Sequence, residues 1–393
     1  MDKPNVKGIP YGVANFEEVR SKNRYYVDKT MYLPLLEEAN DFLFLIRPRR
    51  FGKSVFVSMM QAYYDIAKAD RFETLFDGLW IKAHPTSLKN ACQIVYFDFS
   101  VIGSGSNEGE LESNFNKYCC QVLDMFAETY AGFYDKEFEE KVKAEDSARA
   151  KLNYINLHAC KKGYLLYLIV DEYDNFTNVI LSEGGKERFR RLTHASGFYR
   201  EYFKIFKVMF SRVFLIGVSP ITLDDLSSGY NIGWNISQDP RFNYMLGFSE
   251  SDVHTMFRYY QDNGKLRSDA DVEAMLEEMR PWYNNYCFSE DYIDAERLYN
   301  CDMVLYYLRH QVAFGRPPKE MVDVNVRTDY KKLQMLAGID RGNQRENRMG
   351  IIEEIAATGS VLMRLKTSFP AEYVTEDNNF RSLLYYYGLL TMG

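Results

Sequence analysis

Gly52-Lys53-Ser54 is the stretch whose residue types come closest to a reaction centre. The apolar run Phe42-Leu43-Phe44-Leu45-Ile46 leads into it through Arg47-Pro48-Arg49-Arg50-Phe51, and Val55, Met59, Met60 and Tyr63 continue beyond it at helical spacing. Strand, glycine, lysine, hydroxyl and helix in that order make a phosphate cradle. The glycine lets backbone N–H groups approach phosphate oxygens, Lys53 reaches the β and γ phosphates, and the Ser54 hydroxyl holds Mg²⁺. The full pattern has a second glycine five residues before Gly52, where this chain has Arg47. The match is therefore degenerate, and its weight comes from the strand–loop–helix context.

A second element completes the chemistry. Tyr164-Leu165-Leu166-Tyr167-Leu168-Ile169-Val170 reads as a buried strand that ends in Asp171-Glu172. Asp171 is placed to hold the Mg²⁺ water shell and Glu172 to polarise an attacking water. A further strand, Val213-Phe214-Leu215-Ile216-Gly217-Val218-Ser219, carries Ser219 at its tip as a sensor of the γ-phosphate. The expected site has Lys53 and Glu172 as catalytic groups and Ser54 and Asp171 at the metal. Arg49, Arg50, Phe51, Gly52, Lys53, Ser54, Val55, Ser219 and Arg241 bind nucleotide, and the ligands are ATP and Mg²⁺. Arg47, Arg49 and Arg50 supply charge to the triphosphate or reach a neighbour; the other reading is that carboxylates hold them to shape the loop. Arg241, in Asp239-Pro240-Arg241-Phe242, reads as an arginine sensor or finger, or as a structural pair with Asp239.

These groups need a scaffold. The chain has 393 residues, length for two or three domains, and 16% of them are aromatic, which excludes a disordered chain. A net charge of −7 excludes a basic nucleic-acid coat. No apolar run is long enough to span a bilayer and no signal core follows Met1, so the expectation is a cytoplasmic protein with no membrane contact. Six scattered cysteines without a CxxC spacing read as reduced thiols. Uniformly apolar strands, including one at Ile94–Phe99, alternate with helices and predict a parallel sheet covered on both faces. The order is compatible with the additional-strand class of P-loop ATPases, in which one strand separates the loop strand from the acidic strand. Past residue 250 helices dominate, starting at Ser249-Glu250-Ser251-Asp252. The predicted fold is an α/β P-loop NTPase of the AAA class over residues 1–248, with a mainly helical second domain over 249–393.

Further stretches carry a likeness. They are Ile9-Pro10-Tyr11-Gly12, Phe16-Glu17-Glu18-Val19-Arg20 and Tyr25-Tyr26-Val27-Asp28-Lys29-Thr30, with Arg47 to Ser54, Leu168 to Asp174 and Gly217-Val218-Ser219. Ile236 to Phe242, Leu246-Gly247-Phe248-Ser249 and Trp282 to Ser289 complete the set. Together they resemble the bacterial AAA-ATPase-like family over almost the whole chain. The resemblance implies ATP binding and a loop with arginine and proline where the full pattern has glycine. Family members commonly continue, past the segment resembling Leu383 to Thr391, into a nuclease-like domain of the PD-(D/E)XK type. This sequence stops at Gly393 and contains no Pro-Asp dipeptide, so no DNA cleavage is expected of it. Asn284-Asn285 departs from the acidic residue and glycine that the family tends to have there.

Two aromatic stretches read two ways. Residues 186–212 hold eight Lys or Arg interleaved with Phe189, Phe198, Tyr199, Tyr202, Phe203 and Phe206. That mixture suits single-stranded nucleic acid, or a helix whose rings face a sheet and whose bases face water; the second is favoured. Tyr385-Tyr386-Tyr387 reads as core. Tyr26 or Val27, just before the loop strand, is a guess for the residue lining the base. The function expected is Mg-dependent ATP hydrolysis that drives a conformational change. The alternative is a nucleotide-binding switch or interaction module with little turnover. A protein partner or homo-oligomer is left open.

Overall fold

Four of the apolar runs become parallel strands, and a fifth, shorter one joins them. They are β1 (Phe42–Ile46), β2 (Cys92–Asp98), β3 (Leu165–Asp171), β4 (Arg212–Gly217) and β5 (Trp234–Asn235). The computed structural model describes residues 6–103, 107–174, 198–220, 233–323, 343–370, 373 and 376–393. The sheet order is β2-β3-β4-β1-β5. β4 thus lies between the strand that feeds the lysine loop and the strand that ends in Asp171. Ile46 pairs with Gly217, Ile216 with Asp171, and Asp171 with Asp98. The carboxyl ends of four strands therefore finish level, where ligands of open α/β sheets bind. Successive residues of β1, β3 and β4 are buried without alternation, so both faces of the sheet are covered.

Helices follow the strands as the periodicity predicts. α1 (Phe16–Ser21) and α2 (Tyr32–Ala39) precede β1, and α3 (Lys53–Tyr64) follows it directly. α4 (Glu108–Tyr130) and α5 (Ala148–Lys162) lie between β2 and β3, and α6 (Phe198–Met209) precedes β4. Of the 186–212 stretch, residues 186–197 lie outside the described residues. In α6, Tyr199, Phe203 and Phe206 are buried in the sheet core and Lys204 faces water. Arg212 pairs with Asp41 at 3.0 Å. The three buried rings of α6 offer no stacking surface to a nucleic acid.

β4 stops at Gly217, two residues short of the expected tip. The N–H groups of Val218 and Ser219 leave the ladder and donate to the Asp174 carboxylate at 3.1 and 2.6 Å. Gly217 is required for that approach, because a Cβ there would lie 2.2 Å from Asp174 Oδ1 and 2.6 Å from the Tyr173 ring. Gly217→Ala is expected to lose about 1–3 kcal/mol of stability, the cost of overpacking a tight core. Urea unfolding with an unchanged midpoint would refute it.

The chain past residue 248 builds a second apolar cluster. α7 (Glu250–Asp262) opens with a capping box in which Ser249 and Asp252 each bond the other's backbone. It packs with α8 (Val272–Tyr283) and α9 (Cys301–Phe314) around Phe257, Met279 and Tyr307. A two-stranded antiparallel pair, β6 (Asn284–Tyr286) and β7 (Leu298–Tyr299), lies beside them. α10 (Asn343–Thr358) and α11 (Asp377–Tyr386) follow. The chain crosses between the clusters more than once. Ile9, Tyr11 and Tyr25 of the lead segment pack on the second cluster, while Tyr385 and Tyr386 of α11 return to the sheet core. Among the described residues no helix is long and apolar enough to cross a membrane.

Candidate functional site

A cavity of about 420 Å³ opens where the lead segment, the loop after β1 and the second cluster meet. Its wall includes all of Arg49 to Phe56, together with Glu172, and the lead segment adds Pro10, Gly12 to Ala14 and Tyr25 to Val27. Met245 to Phe248, Met256, Cys301, Asp302 and Leu305 close the far side. The volume lies within the 300–1,000 Å³ range of small-molecule sites. Tyr26 and Val27, the two guesses for a residue lining the base, are both in the wall. Met245 to Phe248, Cys301 and Leu305 went unrecognised, since nothing in their types separates them from core.

The loop is held by residues far along the chain. Asn300 Nδ2 donates to the Arg49 carbonyl at 3.3 Å, the Asp302 N–H to that of Arg50 at 3.4 Å, and the Gly247 N–H to that of Phe51 at 3.1 Å. Two of the three anchors, Asp302 and Gly247, themselves line the cavity, so these bonds fix the loop against its far wall just ahead of α3. Gly52 caps that helix at φ +84°. The Arg50 guanidinium pairs with Asp302 at 2.6 Å, so it fixes the loop's shape even as Arg50 lines the cavity.

Arg47 shows why the missing glycine is tolerated. Its side chain turns away from the loop and is fully buried, donating to the carbonyls of Ile46, Ser237 and Phe242 at 2.9, 2.6 and 3.1 Å. The guanidinium lies over the Phe288 ring, 4.1 Å from its centroid. Burial pushes its pKa down to about 10, so it stays charged at neutral pH. Arg47 ties β1, the turn at residues 237–242 and the Phe288 ring together within the sheet core, and is not in the cavity wall.

Lys53, Ser54, Asp171 and Glu172 converge at the carboxyl end of the sheet. Lys53 is buried with its amine 3.2 Å from the Pro48 carbonyl, 3.4 Å from that of Arg47 and 3.7 Å from Glu172 Oε1. The Ser54 hydroxyl donates to Asp171 Oδ2 at 3.1 Å. Burial, then the neighbouring Glu172 charge, pushes the Asp171 carboxyl up to about 7, with Lys53 opposing. A cation arriving there would relieve that electrostatic cost. A hydroxyl and a carboxylate so close are hard oxygen donors of the kind Mg²⁺ takes alongside phosphate oxygens. The residues fit that ion. Glu172 sits at φ +52° and Arg50 at φ +68°, a left-handed backbone that costs of order 1–3 kcal/mol in residues other than glycine. Both strained residues face the cavity.

Two expected binders stand elsewhere. Ser219 is fully buried beneath the wall, its N–H on Asp174 and its carbonyl accepting from the Tyr173 hydroxyl at 2.8 Å. Arg241 is off the cavity. It sits on a short turn whose Phe242 is buried, which points Arg241 outward into a two-pronged contact with Asp239 at 2.6 and 3.1 Å. That is the structural pair with Asp239, one of the two readings the sequence left open.

The family model of AAA-ATPase-like proteins, described as predicted AAA-ATPases, matches residues 10–227. This chain belongs to the AAA-ATPase-like family. The match takes in the lysine loop, the acidic strand and Ser219, so the site lies inside the shared region except for its wall beyond Met245. The chain is also 27% identical over 326 residues to a protein of Azotobacter chroococcum mcd 1 described as an uncharacterized protein in the vnfD 5' region. That alignment takes in 78% of this chain and 52% of the relative. The chain thus spans about half the length of the relative it matches.

Proposed function

We propose that the chain binds ATP with Mg²⁺ and hydrolyses it. The observation that carries this reading is the meeting of four groups from two strand ends: Lys53 and Ser54 after β1, Asp171 and Glu172 after β3, with Ser54 on Asp171 at 3.1 Å. The loop after β1 acts as a P-loop whose N–H groups and Lys53 amine neutralise the phosphates. Ser54 and Asp171 hold the Mg²⁺ ion, which screens charge on the phosphate oxygens when bound. The Glu172 carboxylate orients a water and accepts its proton. Ser219 senses the γ-phosphate end through the loop that Asp174 braces. Positioning and charge neutralisation supply the rate, with no covalent intermediate.

The same reading treats residues 1–248 as an ATPase domain and 249–393 as a second domain that the nucleotide moves. What supports it is the composition of the cavity wall, with one side drawn from each part. The Lys29–Asp252 pair at 2.8 Å and the Arg50–Asp302 pair at 2.6 Å cross between them. A nucleotide switch with little turnover uses the same site. Single-turnover hydrolysis of ATP with excess protein and Mg²⁺ decides between the two: release of phosphate at the active-site concentration is expected, and bound ATP that stays intact would leave only the switch.

Arg241 supplies a control. Arg241→Ala is expected to keep ATP affinity and turnover within about twofold, because surface pairs contribute only about 0–1 kcal/mol. A large loss of turnover with retained affinity would return it to the finger role, contributed to another copy of the chain.

A further inference from the structure

Three consecutive residues at the start of α9 meet the loop after β1. Asn300 caps the helix, its Oδ1 accepting from the Met303 N–H at 3.3 Å, while its Nδ2 donates to the Arg49 carbonyl at 3.3 Å. Cys301 packs on the loop glycine, since a Cβ on Gly52 would lie 3.8 Å from its Sγ. Asp302 bonds Arg50 twice. Its N–H donates to the Arg50 carbonyl at 3.4 Å, and its carboxylate accepts from the Arg50 guanidinium at 2.6 Å. The helix start is itself framed. The Asn300 N–H donates to the Tyr283 carbonyl at 3.1 Å, and Phe248 and Tyr299 exchange backbone bonds at 2.8 and 3.1 Å.

Arg50 is the loop residue that needs this frame. At φ +68° its backbone is left-handed, a conformation that a residue other than glycine keeps where its surroundings impose it. Asp302 grips both its carbonyl and its side chain, and a charge-assisted bond such as the second is stronger than a neutral one. Asp302 also lies in the cavity wall. A carboxylate there opposes a triphosphate by Coulomb repulsion, so any benefit it brings to binding comes through the loop.

We propose that Asp302 is a positioning residue of the nucleotide site. It holds Arg50 in the left-handed backbone that gives the phosphate loop its binding shape, and so makes ATP affinity depend on α9. Arg50 then serves the nucleotide through loop shape, with its charge engaged by Asp302. The inference rests on the nucleotide reading above. α9 lies outside residues 10–227, which the family model matches, so nothing in the shared region announces this contact.

The sign of the change in Asp302→Asn is the test. Loss of a wall charge alone would tighten ATP binding. Loss of the grip on Arg50 is expected to weaken it about tenfold, on the scale of a hydrogen bond to a charged group. The readout is Kd for Mg-ATP by titration calorimetry, on protein shown by circular dichroism to be folded. Unchanged or tighter binding would overturn the proposal, whatever happens to thermal stability, which an acid in the first turn of a helix also serves. Arg50 gives a second test that does not depend on the Asp302 variant folding. Glycine adopts the left-handed backbone without strain and alanine does not. Arg50→Gly should therefore bind Mg-ATP about tenfold more tightly than Arg50→Ala. Equal affinities would show the guanidinium acting directly by its charge, and would also overturn the proposal. A parent that does not bind Mg-ATP defeats the nucleotide reading, and this inference falls with it. A parent that binds, with variants that fail these tests, defeats this inference alone.

Discussion

Lys53→Ala is expected to lose at least about a hundredfold in ATP affinity, on the scale of removing a preorganised charge from a transferring phosphoryl group. The measurement is thermal stabilisation by ATP. At a concentration of about 100 Kd the parent gains about 2.7 kcal/mol, and a hundredfold weaker variant gains only about 0.4 kcal/mol at that concentration. The amine is the cavity's buried lysine, and without nucleotide it touches the Arg47 and Pro48 carbonyls and Glu172. Two of those contacts lie within the loop and the third, to Glu172, is long at 3.7 Å, so the nucleotide-free variant should still fold. A variant that ATP stabilises as it does the parent would show that this loop is not the phosphate site.

Glu172→Gln separates binding from chemistry. Gln keeps the size and hydrogen-bonding reach of Glu, while its amide cannot accept a proton from water. ATP affinity should stay within a few-fold of the parent and turnover should fall by about 10²–10⁴, the usual contribution of a positioned base. Lys53, Ser54 and Asp171 remain in place, so the metal and phosphates are still held. Single-turnover phosphate release is the readout, with ATP binding measured on the same preparation. Undiminished release would move the proton acceptor to another carboxylate. Asp174 is the next in reach, although the Val218 and Ser219 N–H groups already occupy it.

Most of the candidate site was legible because it is local. A glycine, lysine and serine between a strand and a helix, and two carboxylates at a strand end, declare themselves within a few residues. The capping box at Ser249 and Asp252 is legible for the same reason. The direction of Arg241 was not legible, because its spacing after β4 says nothing of it; burial of Phe242 turns it outward. Ser219 was placed at a strand tip, yet the Asp174 carboxylate draws the backbone off the ladder at Gly217. A side chain that competes for main-chain N–H groups leaves no periodic mark.

By itself, the sequence determined the sheet class, the lysine loop and the acidic strand, since hydrophobic period and residue chemistry act over short spans. Tertiary structure decided the rest. It set β4 between β1 and β3, which brings Ser54 to Asp171. It turned Arg47 into the body and so allowed a loop without its first glycine. It also walled the cavity with Met245 to Phe248 and Cys301. Those residues are apolar or aromatic like any core residue. Only the packing of segments far apart in the chain decides which of them meets solvent, a neighbour or the reactive groups.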